Sequence, residues 1–328
     1  GRGEPALLAA LAKRYSKRTG RAIGPDQFVC LPGTQTSLYA VLLTLTNPGD
    51  EVLVGDPLYA TYEGLIAASG AQAVKVPLRP EHGFRMQAAD VAARITPRTR
   101  VLFLNTPHNP TGMVLGDDGL RALAEVAVAA DLLVISDEVY ERLTFDGREH
   151  RPVATYPGMA DRTVTISSAA KMFNCTGWKI GWACGAPELV AGVRAAKQYL
   201  SYVGGAPFQP AVAYALNNED AWVDALRDSL RSKRDRLAEA LTGLGFEVHD
   251  SSGTYFLCVD PRPLGFDDST AFCEELPHRA GVAAIPMSAF CDPGGTPDAW
   301  KHLVRFAFCK RDATLDEAIG RLGSLSPS

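Results

Sequence analysis

The apolar positions of the first 217 residues alternate between helical spacing and short runs that are typical of buried strands. The pattern predicts strands at Phe28–Leu31, Glu51–Val54, Ala73–Val76, Val101–Leu104, Leu132–Ile135, Thr163–Ile166 and Ile180–Ala183. It predicts helices at Ala6–Arg18, Thr36–Leu45, Thr61–Ala68, Gln87–Ile95, Asp118–Ala129 and Pro187–Leu200. This alternation indicates an α/β fold in which helices cover both faces of a largely parallel sheet.

The pattern changes after Pro210, and we expect a large domain at residues 1–217 and a smaller α+β domain at 218–328. In the second part, helices are predicted at Ala221–Leu241, Ser269–Arg279 and Leu315–Leu322, and strands at Phe246–His249, Thr254–Val259, Val282–Ile285 and Leu303–Phe308. Pro286–Pro297 is predicted to be a loop. The chain opens with Gly1 instead of methionine, so we expect an N-terminal arm to precede it.

Composition narrows the class of protein. A formal net charge of −4, with 46% hydrophobic residues, favours neither a nucleic-acid partner nor a membrane partner. The seven cysteines form no C-x-x-C pair, and no His/Cys cluster has the spacing of a metal site. Scattered cysteines in apolar runs fit reduced thiols, so we expect a cytoplasmic protein without a bound metal.

Candidate chemistry follows the predicted strands. Lys171 comes just after the strand at Thr163–Ile166, and Lys179 follows a short turn. Side chains at the carboxyl ends of parallel strands meet at one edge of a sheet, where α/β proteins bind ligands. A poorly solvated lysine there is a usable amine nucleophile, although most lysines simply lie on solvated loops.

Several other signatures can be weighed against this one. The sequence has no G-x-G-x-x-G after a strand, no Walker A motif and no G-x-S-x-G elbow. Ser168 to Lys171 also matches the S-x-x-K of serine acylases. That interpretation needs S-D-N and K-T-G companions, and the chain offers only Ser136-Asp137-Glu138 for the first and nothing for the second.

Three motifs together carry a family resemblance. Asn109-Pro-Thr-Gly, Asp137-Glu-Val-Tyr140 and Ser168-Ala-Ala-Lys171, continued to Lys179, occur in the order and spacing of the class I/II aminotransferases. The chain is similar to these pyridoxal 5'-phosphate (PLP) enzymes from the Gly33 turn to Arg305. The resemblance implies PLP fold type I, with a mostly parallel seven-stranded sheet and a smaller C-terminal domain.

The resemblance also implies catalytic roles. Lys171 would form a Schiff base with PLP and move the proton at the substrate α-carbon. Asp137 would hold the pyridine nitrogen protonated, although an aspartate here could also be a helix cap. Tyr140 and Asn109 would donate to the phenolic oxygen of the ring, and the Asn109-Pro110 bond is cis in many relatives. Taken alone, Asn-Pro-Thr-Gly is a good turn in any protein.

Further residues are implied to bind the cofactor. Gly33 and the backbone N–H groups of Thr34 and Gln35, at a helix N-terminus, would bind the phosphate together with Ser168 and Lys179. Most of these would have no special meaning outside the family context. Tyr59 would stack on the ring, with Tyr62 supporting it, although Tyr59 could equally be an ordinary core aromatic.

Arg305 is the implied partner of the substrate carboxylate. Alternation in Leu303–Phe308 places Val304, Phe306 and Phe308 on one face of a strand and Arg305 on the other. A strand arginine often faces solvent. The family context instead implies a two-pronged salt bridge to the α-carboxylate of the amino acid or 2-oxo acid.

Longer phrases such as Gly253-Thr-Tyr-Phe-Leu resemble the branch of N-succinyldiaminopimelate aminotransferases, which function in lysine synthesis, and kynurenine/glutamine transaminases. The implied enzyme is a homodimer that uses 2-oxoglutarate or glutamate as co-substrate. Residues 201–206 contain no cation, and Gly204 and Gly205 would leave room for a long substrate side chain. Kynurenine, glutamine or methionine transamination, a carbon–sulfur β-lyase and a non-enzymatic regulator remain alternatives.

Overall fold

The structure is a computed structural model, and it describes residues 1–291, 300–323 and 325. One seven-stranded sheet organises the first two-thirds of the chain. Its strands are Phe28–Leu31 (β1), Glu51–Asp56 (β2), Gln72–Pro77 (β3), Thr99–Asn105 (β4), Leu133–Asp137 (β5), Thr163–Ser168 (β6) and Gly181–Cys184 (β7). They lie in the order β1-β7-β6-β5-β4-β2-β3.

Within this sheet only the β7 pairings are antiparallel. The flanking helices are Pro5–Thr19 (α1), Gly33–Leu45 (α2), Thr61–Ala68 (α3), Ala88–Ala92 (α4), Asp117–Ala129 (α5), Ala169–Met172 (α6), Pro187–Leu200 (α7) and Gln209–Asn218 (α8). Successive residues of β4 pack on opposite faces. Val101 and Phe103 lie in the cluster with α2, α3 and α7, while Leu102 and Leu104 lie in the cluster with α4 and α5. The predicted sheet covered on both faces is confirmed.

A four-stranded antiparallel sheet organises the rest. Its strands are Glu247–Val248 (β8), Phe256–Asp260 (β9), Ile285–Pro286 (β10) and Val304–Ala307 (β11), in the order β10-β11-β9-β8. The helices are Asp220–Gly243 (α9), Ser269–Ala280 (α10) and Asp312–Leu322 (α11). Val304, Phe306 and Phe308 enter the apolar core of this part, as alternation predicts. Among the described helices, none combines the length and apolarity needed to cross a membrane.

Element boundaries differ from the predictions at several places, including the following four. Helix α4 ends at Ala92, three residues before the predicted end at Ile95. Helix α8 was not predicted, because Pro210 suggested a break in the chain. Pro210 in fact lies in the first turn of α8, where proline is tolerated. The strand predicted at Val282–Ile285 pairs only at Ile285–Pro286.

The fourth difference concerns the loop predicted at Pro286–Pro297. Its first residues form the end of β10 and a 3₁₀ turn at Met287–Phe290, and residues 292–297 lie outside the described residues. The structure also contains a cis Asn109-Pro110 peptide bond, as the resemblance implies.

Candidate active site

The carboxyl ends of the parallel strands meet at one edge of the large sheet. Asn105, the last residue of β4, is paired in register with Asp137, the last residue of β5. Ser168 ends β6 opposite Gly181 of β7, and Gly181 is also paired with Leu31 at the end of β1. The sheet order therefore brings segments that are far apart in sequence to the same place.

A cavity of about 290 Å³ opens at this edge. Among the residues predicted for the site, those that line it are Gly33, Thr34, Gln35, Tyr59, Asn109, Asp137, Tyr140, Lys171, Lys179 and Arg305. Ser168 does not line the cavity and is fully buried behind it. The sequence interpretation missed Leu38, Thr61, Val139, Thr176, Tyr255 and Phe256, which also line the cavity. The phrase Gly253-Thr-Tyr-Phe contained a signal for the last two.

Among the described residues that line this cavity, Asp137 is the only carboxylate, and it is buried. The Tyr62 hydroxyl donates to its Oδ2 at 2.7 Å, and the Val139 N–H donates to its Oδ1 at 3.1 Å. Burial raises the pKa of Asp137 to about 6, although these two donors oppose the rise. The carboxylate is thus held in a fixed orientation in a place that disfavours its charge.

Tyr62 has a larger part in the site than the sequence indicated. Its ring is fully buried against Phe103, with centroids 4.5 Å apart, and Tyr59 meets it edge-on at 5.5 Å. Burial, and then the nearby Asp137 charge, raise the pKa of Tyr62 well above its ordinary value. The hydroxyl therefore remains a donor to Asp137 at any physiological pH.

Lys171 lies on the short helix α6, just past β6. Its Nζ lies 5.9 Å from the ring centroid of Tyr140 and 5.4 Å from that of Tyr255. Burial, followed by the contact with Tyr255, raises the pKa of Tyr140 well above its ordinary value. The amine therefore lies beside two phenol rings at the cavity wall, three residues after Ser168, which ends β6.

The start of α2 offers backbone donors to an anion. The helix begins at Gly33, three residues earlier than predicted, so Gly33, Thr34 and Gln35 form its first turn and leave backbone N–H groups free. Gly33 has φ +83°, and a Cβ on Gly181 would lie 2.7 Å from the Gly33 carbonyl carbon. Both positions therefore require glycine.

Lys179 lies against this helix terminus. A Cβ on Gly33 would be 3.5 Å from the Lys179 Cδ, and Lys179 itself has φ +57°, which is unfavourable for a residue with a side chain. In the part of the chain that the structure describes, Lys179 forms no ion pair. A cation beside the positive end of a helix indicates that an anion belongs between them.

Arg305 lies across the cavity on β11. Its Nη1 donates to the Asn109 Oδ1 at 2.7 Å, while its Nε is buried and has no hydrogen-bond partner. Burial lowers the pKa of Arg305 from its ordinary value. The described residues that line the cavity include three cations, Lys171, Lys179 and Arg305, and one carboxylate, which suits ligands with several negative charges.

These residues fit PLP. The unsatisfied Ser168 Oγ, the first turn of α2 and Lys179 offer donors and charge to a phosphate. Asp137 offers a carboxylate to a protonated ring nitrogen, and Lys171 offers an amine to an aldehyde. Arg305 remains available to bind a second anion.

A larger cleft, of about 760 Å³, contains none of the predicted site residues. It is lined by six arginines, but they are paired with acids. Arg142 contacts Asp220 and Asp224, for example, and Arg227 contacts Asp224 and Asp228. The chemistry is therefore concentrated in the smaller cavity.

Comparison with known proteins agrees with this chemistry. The family described as aminotransferase class I and II matches residues 1–322. A probable N-succinyldiaminopimelate aminotransferase of Mycobacterium tuberculosis is 60% identical over 99% of this chain and 84% of its own length. An arginine–pyruvate transaminase of Pseudomonas aeruginosa is 44% identical over 88% of this chain and 73% of its own.

Solved structures give the same result. The structure of N-succinyldiaminopimelate aminotransferase from Mycobacterium tuberculosis superposes with a TM-score of 0.96 at 60% identity, covering 99% of this chain and 84% of that one. Aspartate aminotransferase from Thermus thermophilus with maleate gives 0.90 at 33% identity, covering 99% and 82%.

Proposed function

The chain belongs to the class I and II aminotransferases, which depend on PLP, and on this basis we propose that its substrates are N-succinyl-LL-2,6-diaminopimelate and 2-oxoglutarate. The observation that carries the proposal is the cavity itself, in which Lys171, Asp137 and Arg305 surround one space that also has a phosphate-type anion site. The 60% identical relative supports the choice of substrate and a role in lysine synthesis.

Each side chain has a proposed role that follows from its position. Bound PLP supplies a protonated ring that accepts electrons from the substrate α-carbon. Asp137 keeps the ring nitrogen protonated, and Tyr62 orients Asp137. Tyr140 and Asn109 donate toward the phenolic oxygen of the ring, and Tyr59 stacks on its face. Lys171 attaches the cofactor and, once displaced by the substrate amine, moves the proton at the α-carbon.

Anions are distributed between two ends of the cavity in this proposal. The first turn of α2, Ser168 and Lys179 bind the phosphate. Arg305 binds the substrate α-carboxylate from the smaller sheet, which we assign to a domain comprising residues 218–328. The cavity is lined by residues from both parts of the chain, so movement of one part against the other would change access to it.

The substrate side chain is proposed to lie near residues 201–206, which carry no cation. The structure changes one part of that reasoning. Gly205 has φ +67°, a left-handed conformation that favours glycine, so the local backbone already accounts for this residue. Contact between residues 201–206 and a long, neutral part of the substrate is therefore proposed from the missing cation and not from space left by glycines.

We also propose a homodimer in the cytoplasm. Exposed aromatic rings include Trp178, the neighbour of Lys179 in the sequence, which stacks on Phe208 at 4.9 Å. Exposed aromatic surface of this kind is typical of an interface. The seven cysteines are free thiols, as a reducing compartment would keep them. A monomer by light scattering in the holoenzyme would contradict the dimer.

A matched donor assay tests the substrate. The purified holoenzyme is assayed with 2-oxoglutarate and, in turn, N-succinyl-diaminopimelate, kynurenine, glutamine, methionine and aspartate. We expect the highest kcat/KM for the N-succinyl donor. Much faster turnover of aspartate would contradict the proposal, and release of pyruvate from cystathionine without any 2-oxo acid would favour a β-lyase.

A further inference from the structure

The guanidinium group of Arg305 lies between two phenylalanine rings. Its Cζ is 4.0 Å from the ring centroid of Phe256 and 4.3 Å from that of Phe290. In the smaller sheet, β11 lies between β9 and β10. Phe256 begins β9, and Phe290 ends the 3₁₀ turn that directly follows β10. One ring therefore comes from a neighbouring strand, and the other comes from the turn that follows the strand on the opposite side of β11.

The two rings and Asn109 together fix the guanidinium plane. Contact with two rings restricts tilting of the guanidinium, and the 2.7 Å bond from Nη1 to the Asn109 Oδ1 restricts rotation within the plane. The N–H groups of the guanidinium form a fork, and this bond leaves the Nε side of that fork free. The Nε has no hydrogen-bond partner although it is buried. A carboxylate binds most strongly to two parallel N–H groups of such a fork.

The two rings also stabilise the positive charge of Arg305. Removing a guanidinium from water is costly, and a ring face within about 6 Å offsets part of that cost. Arg305 is 9% exposed, so it needs such compensation before any substrate arrives. No carboxylate contacts it in the described protein, and the Asn109 carbonyl is its only hydrogen-bond acceptor there.

Phe290 also connects Arg305 to the cofactor side of the cavity. Its backbone carbonyl accepts a hydrogen bond from the Leu58 N–H at 2.8 Å, and Leu58 directly precedes Tyr59. The side chain itself is buried in the cluster that contains Met287 and Trp300. Phe290 is thus held from two directions, which makes it a rigid support for the arginine.

We propose that Phe256 and Phe290 are positioning residues that hold the Arg305 fork for carboxylate binding. It follows that the described segment Pro286–Cys291 serves the α-carboxylate that every donor and acceptor shares, and does not discriminate between side chains. The inference depends on the proposed function of Arg305.

The main test replaces the ring but keeps an apolar side chain. In the Phe290→Leu holoenzyme, glutarate, which has no amino or keto group, should bind about tenfold more weakly by isothermal titration calorimetry, as expected for one desolvated cation–π contact. The KM values for N-succinyl-diaminopimelate, glutamate and 2-oxoglutarate should rise by a similar factor, with kcat within about threefold. If Phe290→Leu folds poorly, Phe290→Met takes its place in the test, and we expect the same changes in glutarate affinity and KM.

Two further variants separate the ring contact from simple packing. Phe290→Tyr keeps the ring face and should bind glutarate within about twofold of the wild type. Phe266→Leu removes a ring from Arg279, 5.3 Å away in the same part of the chain but outside the cavity, and should change neither glutarate affinity nor KM.

Several results would overturn the proposal. Unchanged glutarate affinity in folded Phe290→Leu would show that the fork does not depend on the ring. Equal weakening in Phe290→Tyr would assign the effect to packing, and a KM change for one donor only would assign the segment to side-chain discrimination. If Arg305→Lys does not weaken glutarate binding, the proposed role of Arg305 itself fails. If only the N-succinyl donor is inactive, the substrate proposal fails and the positioning role stands.

Discussion

Two adjacent buried acids, Asp137 and Glu138, are predicted to affect stability in opposite directions. Burial raises the pKa of Asp137 from 3.8 to about 6. Burial also opposes ionisation of Glu138, but contacts with His150 and Arg18 outweigh it and lower the pKa of Glu138 from 4.5 to about 2. His150 Nε2 lies 2.8 Å from the Glu138 Oε2, and Arg18 contacts the same oxygen.

The change Asp137→Asn removes the unfavourable charge from the cofactor-free protein. A pKa raised from 3.8 to about 6 corresponds to a cost of about 3 kcal/mol at high pH, since each pH unit is worth about 1.4 kcal/mol. The folded pKa lies above the unfolded one, so this cost is absent below pH 4, grows as the pH rises through 6, and is constant above it. An asparagine amide can still accept from the Val139 N–H and donate to the Tyr62 hydroxyl.

Urea unfolding at pH 5 and pH 8 measures the effect. The cofactor-free Asp137→Asn protein should be more stable than the wild type at pH 8, and its advantage should shrink by about 1.5 kcal/mol at pH 5. The control Glu138→Gln should lose about 3 kcal/mol equally at both values, because the stabilisation from this lowered pKa is complete above pH 4.5 and is lost only as the pH falls toward 2.

The outcome bears on function, because a carboxylate that is costly in the empty cavity is compensated when a protonated ring nitrogen reaches it. The same Asp137→Asn change should therefore weaken PLP binding while it stabilises the cofactor-free protein. Lower stability of Asp137→Asn at pH 8, or a difference that does not vary with pH, would refute the assignment of a strained, ionised Asp137.

Three further predictions concern single contacts. Tyr62→Phe removes the 2.7 Å bond to Asp137 and should weaken PLP binding about tenfold by equilibrium dialysis; unchanged affinity would contradict the positioning role. Arg305→Lys, which cannot form a two-pronged bridge, should raise the KM of donor and acceptor at least tenfold and leave PLP affinity unchanged; a loss of PLP instead would place the arginine at the phosphate. Ser168→Ala removes a buried hydroxyl without a partner, so it should weaken PLP binding yet not lower the urea midpoint of the cofactor-free protein; lower stability would show that Ser168 is structural.

The sequence predicted the large sheet well because its strands are continuous apolar runs. Runs such as Val101–Leu104 are buried on both faces, and this leaves a strong local signal. Boundaries were less accurate where local and tertiary preferences compete. Pro210 was interpreted as a break, and Val282 lies on a segment whose ladder partner begins only at Ile285.

The candidate site was predictable where a motif is compact, as in Ser168 to Lys171. The contacts between motifs were not predictable. Tyr62 and Asp137 are 75 positions apart, and nothing near Tyr62 in the sequence indicates that its hydroxyl reaches a carboxylate. One of the two rings on Arg305 comes from β9 and the other from the turn after β10, and their convergence depends on the order β10-β11-β9. Such contacts exist only once the sheets have formed.

The most direct measurement of the central claim identifies the lysine that holds the cofactor. Borohydride converts a lysine–cofactor linkage into a stable amine, and peptide mass spectrometry of the reduced holoenzyme then locates the phosphopyridoxyl group. Lys171 and Lys179 line the same cavity, so each is a control for the other. We expect the phosphopyridoxyl group on Lys171. The yellow absorption band of the lysine–cofactor linkage should be lost in Lys171→Ala and retained in Lys179→Ala. A phosphopyridoxyl group on Lys179, or a yellow band unchanged in Lys171→Ala, would contradict the assignment of Lys171.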